Sequence, residues 1–333
     1  MLIELKPELF KSFDDYKSLN KLLQDLTYKR RYDIFIDIDE VKDCALYNRI
    51  DKEDQMLIEE YFEKQVTEDN EVNHIVSLEM DSTNFTVHEA IRFFNQPVEI
   101  ILENSLNDSY FIDALILNFK KASKKIKKYK EEGWLVLGNA GGANNISNYI
   151  QSISANFGNL PKENHKYLRC FVILDSDKKY PNMPYEQGLQ NTIDYLKKNE
   201  VVFHILEKRE MENYIPDEVI DDIAFNYKDE YLKAYLKLNP NQKDYFDIEK
   251  GYENKNYNSL ISEIQLLYND NDDYKLLRKG INGTKYNKEN FKAEFPKLFC
   301  HPKINQENLL KRTQHQINKN ELKEILSKIN ELL

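Results

Sequence analysis

Between Val98 and Pro216 the apolar positions repeat in one order, a short apolar run followed by a stretch of helical spacing. The runs are Val98–Leu102, Trp134–Leu137, Cys170–Leu174 and Val201–Leu206. Each is too short for a helix and too continuous for a strand that faces water on one side, which is how strands of a buried parallel sheet read. Helical spacing follows each of the first three, including a helix from about Asp108 that places Phe111, Leu115 and Phe119 inward, and another over Gln187–Asn199. The expectation is an α/β fold built on a mainly parallel four-stranded sheet flanked by helices.

The rest of the chain is patterned differently. Residues from Met1 to about Arg30 read as one or two amphipathic helices, and Tyr32–Ile38 alternates apolar and acidic positions as a half-buried strand does. Glu53–Gln65 reads as a helix, and Asn73–Leu78 as a strand able to pair with the earlier one. Thr86–Asn95 is a helix with an N-cap that Pro97 ends. After Pro216 the pattern is mostly helical, with a helix over Asp217–Leu238, an acidic low-complexity turn at Asn269–Asp273 and a terminal amphipathic helix over Asn318–Leu333. The expected organisation is an N-terminal α+β region at 1–96, a catalytic domain at 97–216 and a helical C-terminal region at 217–333.

Composition narrows this picture. Hydrophobic residues make up 41% of the 333, enough for a core, and the formal net charge is −10. A general polyanion binder is usually basic, so nucleic-acid contact would need local patches or a metal. The three Cys are far apart, which excludes a disulfide framework or thiolate zinc site and suits a reducing cytoplasm. No apolar run approaches the ~18 residues of a membrane helix, and the N-terminus does not read as a signal peptide. The chain is expected to be cytoplasmic, with no membrane contact.

The candidate chemistry lies where the strands end. Glu103 closes the first, with Asp108 opening the next helix, and Asp175-Ser176-Asp177 closes the third. The fourth runs into Glu207-Lys208-Arg209-Glu210-Met211-Glu212-Asn213-Tyr214. In an open α/β sheet, ligands bind outside the carboxyl ends of the strands. Carboxylates gathered there repel one another unless a cation neutralises them, and hard divalent ions take oxygen ligands. By contrast, Asp37 and Asp39 sit in an alternating strand and read as solvent-facing. Gly141-Gly142 reads either as a phosphate-approach loop or as a tight turn. The lysines from Lys120 to Lys130 read as a solvated helix end or as a stripe along a phosphate backbone. His204 reads as a packed core histidine, and Cys170 as a small buried hydrophobe.

The order of these features resembles the Toprim catalytic domain shared by topoisomerases, bacterial primases, small ribonucleases and OLD-family nucleases. Within it the chain is most similar to single-chain Toprim effectors of anti-phage defence of the PARIS type. Lys208–Pro216 (KREMENYIP) resembles their REIENY segment, and Lys243–Tyr252 (KDYFDIEKGY) a downstream lysine-bearing motif. The resemblance covers roughly residues 97 to 252. It departs from the pattern at the opening, where Glu103-Asn104 stands for Glu-Gly and Asp108 lies five residues on rather than four.

This resemblance implies Glu103, Asp108, Asp175, Asp177 and Glu212 as ligands of Mg²⁺ or Mn²⁺, with Glu207 and Glu210 as rivals of Glu212. Lys250, or Lys243, would stabilise charge in the transition state. It further implies a nuclease acting on DNA or RNA, tRNA included, a partner ATPase and an oligomer as an open state. Two alternatives stand beside it, an inactive Toprim binding module and a haloacid-dehalogenase-like phosphohydrolase. The second needs Thr or Val after the acidic pair, where this chain has Lys178.

Overall fold

The structure, a computed structural model, describes residues 1–333 except positions 13, 69, 80–82 and 269–272. The acidic turn expected at 269–273 therefore lies, Asp273 apart, outside the described residues. The chain divides into two compact units: Met1–Pro97 with Ser154–Arg169 and Glu331–Leu333, and Val98–Ile153 with Cys170–Asn330. Among the described residues, no helix is long and apolar enough to cross a membrane.

The first unit is built on three strands, β1 (Leu2–Leu5), β2 (Asp33–Phe35) and β3 (His74–Val76), in the order β2-β1-β3. Both pairings are parallel. Three expectations are corrected here. Residues 2–5 form the central strand rather than a helix, residues 73–78 pair with that strand and not with β2, and the region is α/β rather than α+β. Four residues carry no readable period, so the strand state of Leu2–Leu5 comes from the ladders on its two sides. The alternating strand also stops at Phe35. Asp37 precedes a helical turn at Ile38–Val41, and Asp39 lies at the surface in an ion pair with Lys42 at 3.0 Å. Helices Tyr16–Thr27 and Val87–Asn95 start on side-chain caps, Asp15 accepting from the Ser18 N–H and Thr86 forming a capping box with Glu89.

The second unit carries β4 (Val98–Leu102), β5 (Leu135–Asn139), β6 (Cys170–Leu174) and β7 (Val202–Ile205), all parallel, in the order β5-β4-β6-β7. The chain passes from β4 to β5 on one side, then crosses to β6 on the other. The winding reverses between β4 and β6, which puts the usual ligand site of such a sheet outside the carboxyl ends of these two strands. Continuous burial holds for β6 and nearly so for β4, the two central strands. The edge strands β5 and β7 leave Val136 and Val202 exposed, because each lacks a neighbour on one side.

The helix after β4 spans Ser105–Asn118 and then breaks. Phe119 is buried, the Ser123 hydroxyl donates to the carbonyls of Ile116 and Phe119 at 2.6 and 3.0 Å, and a separate helix runs over Lys124–Glu131. A hydroxyl competing for helix carbonyls marks such breaks. Lys130 pairs with Asp113, so the second helix turns back beside the first. The lysine-rich stretch is thus not the far end of one long helix, as its spacing predicted. The helix expected over Asp217–Leu238 is likewise two, Asp217–Asn226 and Glu230–Leu236, separated where Lys228 has φ of +51°.

Candidate metal and phosphate site

Glu103 is the first residue beyond β4, and its surroundings are backbone N–H groups. Its carbonyl accepts from Gly141 and Gly142 at 3.0 Å each. Its carboxylate accepts from Ala143 N–H at 3.1 Å and from Asp175 N–H at 3.3 Å. The two glycines reach this geometry with φ of +77° and +117°, values that favour residues without a Cβ. Their amides are therefore used to hold Glu103, which makes the Gly-Gly stretch a turn around that residue.

Asp175 ends β6 next to Glu103, and its Oδ1 accepts from Met211 N–H at 3.1 Å. Ser176 is buried and donates to the Lys208 carbonyl at 2.8 Å. Asp177 takes φ of +52°, a left-handed conformation that Asp tolerates better than most, and its N–H donates to the Arg209 carbonyl at 3.0 Å. The Asp-Ser-Asp segment thus extends the β6–β7 pairing past the strands and fixes both acids by backbone bonds.

Electrostatics mark this group of acids. Burial, then the charge of Asp177, pushes the Glu103 carboxyl up to about 7. Burial raises Asp175 well above the usual range, with Glu103 and then Glu212 adding to it. Burial, then Glu210, pushes Glu212 up to about 8, and burial carries Glu210 to about 7. Asp108 is raised to about 6 by burial, while its Oδ2 accepts from Asn104 N–H at 2.8 Å. Burial also raises Asp177, against the opposing charges of Arg209 and Lys250. Uncompensated carboxylates in a low-dielectric crevice behave this way.

The rivals of Glu212 separate. Glu207 accepts from the backbone N–H groups of Ile317 and Asn318 at 2.7 and 2.9 Å, so its carboxylate caps a distant turn. Glu210 is held by Arg209 at 3.1 Å. The two candidate lysines separate as well. Lys243 is buried and paired with Asp217 at 2.6 Å, which removes it from reach of a phosphate. Lys250 is exposed, with its charge felt at Asp177.

The groups that hold this segment have no role legible in the sequence. Arg209 bonds Asp247 at 2.8 Å as well as Glu210. Lys208, with no solvent exposure, pairs with Asp244, which also takes Arg312 at 3.0 Å and His315 at 2.6 Å. His204 is buried and lies 2.9 Å from Glu321, a packed histidine with a partner. The available signal was a pair of adjacent basic residues, Lys208 and Arg209, shortly after the fourth apolar run, with acids three apart at 244 and 247.

The donor chemistry fits a hard divalent cation, being all carboxylate oxygen and short of compensating charge. Among the described residues, however, no group of three or more His, Cys, Asp or Glu side chains converges on one point, so a cation would have to draw the carboxylates together. Comparison with family models, curated proteins and solved structures finds no match for this chain.

Proposed function

We propose that the second unit is a Mg²⁺- or Mn²⁺-dependent phosphodiesterase of the Toprim kind that cleaves DNA or RNA, tRNA included. The observation that carries the reading is the adjacency of Glu103 and Asp175 at the switch point between β4 and β6, with both carboxyls held above their ordinary range. Glu103, Asp175, Asp177 and Glu212 would hold the cation, with Asp108 beside them bracing Asn104. When bound, a divalent cation polarises a phosphate and lowers the pKa of a water. The chain's own part is to fix Glu103 with the Gly141–Ala143 amides and Asp177 with the Arg209 carbonyl. Lys250, beside Asp177, would balance charge on the phosphate. The motif resemblance extends the reading to a cytoplasmic anti-phage effector restrained or delivered by a partner ATPase.

The test is Asp175→Asn and Glu103→Gln, assayed for Mn²⁺ binding by calorimetry and for cleavage of labelled DNA and RNA, with Asp39→Ala as control. The proposal expects cation binding and cleavage to be lost together in both variants and kept in the control. Cation binding without cleavage of any substrate would favour an inactive binding module. Cleavage that survives both substitutions would place the chemistry elsewhere.

A further inference from the structure

Next to the acids the second unit has a cavity of about 150 Å³ that the phosphodiesterase reading does not use. Phe246, Tyr252 and Tyr268 line it, all buried. Leu260, Ile261 and Ile264 add aliphatic lining, with Ile261 exposed. Whole small-molecule ligands occupy pockets of roughly 300–1,000 Å³, so this one takes a single ring system.

Two features tie the cavity to the acids. Arg209 and Asp247 line it, and Arg209 at once binds Asp247 and Glu210 and accepts the Asp177 N–H on its carbonyl. Lys179, two residues beyond Asp177, stands at the same lining with Lys255. Lys255 pairs with Glu253 at the surface, an exposed pair of little strength that a phosphate can displace. The lining therefore combines aromatic and aliphatic side chains, one buried ion pair able to meet a polar ring edge, and two cations, Lys179 and Lys255.

We infer that this cavity, built by the 245–268 segment, is a subsite for one unpaired nucleobase whose flanking phosphate lies toward Asp175 and Asp177. An aromatic wall offers stacking to any base, and adjacent cations hold the backbone, the combination used for single strands. A base in a duplex reaches such a cavity only after unstacking, at a cost of a few kcal/mol. The subsite thus selects single-stranded or looped nucleic acid. This inference rests on the proposed phosphodiesterase, so its test separates the two.

The probe is a short single-stranded oligonucleotide with one central 2-aminopurine, mixed with the full chain in EDTA so that nothing is cut. Its fluorescence should be quenched on binding, and the matched duplex should quench far less. Ile264→Trp, which fills the cavity, should weaken binding roughly tenfold or more, the scale of one lost base stack. Should that variant melt early, Lys179→Glu supplies the same test from the rim. Quenching and affinity unchanged in a folded, filled variant overturn the inference, as does competition by a Trp-containing peptide in place of the oligonucleotide. Cleavage by the wild type with KM unchanged in the filled variant would leave the phosphodiesterase standing and remove the subsite. Quenching lost in the variant, with no cleavage by the wild type under any divalent metal, would keep the subsite and remove the phosphodiesterase.

Discussion

Removing the Glu103 charge should make the metal-free protein more stable, by an amount that grows as pH rises from the ordinary carboxyl range to neutrality and is absent in acid. The Glu103 carboxyl is raised from 4.5 to about 7, chiefly by burial. Between those values the folded state holds a proton that the unfolded state has released. Stability therefore falls as pH rises through that window and stays low above it. A rise of about 2.5 in pKa corresponds to ~3 kcal/mol at pH 8. Glu103→Gln abolishes this cost but leaves one of the Ala143 and Asp175 N–H groups facing an amide NH₂, a loss of about 1 kcal/mol. The net gain at pH 8 is then ~2 kcal/mol, a rise of several degrees in Tm for a unit of this size. At pH 4 the gain vanishes and the variant is slightly the weaker. Calorimetric melts in EDTA at both pH values measure the difference. A variant that is equally or less stable at pH 8 would show that the Glu103 charge is already compensated. Saturating Mg²⁺ should reverse the order at pH 8, because the cation stabilises only the chain that binds it.

Three further outcomes are expected. Asp244→Asn should cost roughly 3–5 kcal/mol by denaturant titration, since it leaves Lys208 and Arg312 buried without their carboxylate, and a loss under 1 kcal/mol would refute that role. Gly142→Ala should weaken Mn²⁺ affinity measurably, because the φ of +117° is strained for any residue with a Cβ and the turn holds Glu103; unchanged affinity would separate the turn from the site. Replacing Lys124, Lys127 and Lys128 with Gln should flatten the salt dependence of nucleic-acid binding by up to about three phosphate contacts, and an unchanged slope would mark the helix as a solvated face.

What could be read from the sequence was whatever the chain states locally. The runs Val98–Leu102 and Cys170–Leu174 match β4 and β6 because a strand buried on both faces has little tolerance for polar positions. Glu103, Asp175 and Asp177 stood out because charged residues directly after such strands have few purely structural uses. Other features were decided by contacts distant in sequence. Leu2–Leu5 is a strand only because two others flank it. The break at Phe119–Ser123 has no Pro or Gly to announce it; the Ser123 hydroxyl takes the Ile116 and Phe119 carbonyls there, and Phe119, Ile126 and Tyr129 are all buried. The separation of Glu207, Glu210 and Glu212 depended on partners up to 111 residues away, such as the amide of Asn318. The spacing of carboxylates along a chain says that repulsion must be managed; which backbone amides and cations manage it is settled only when the strand ends meet.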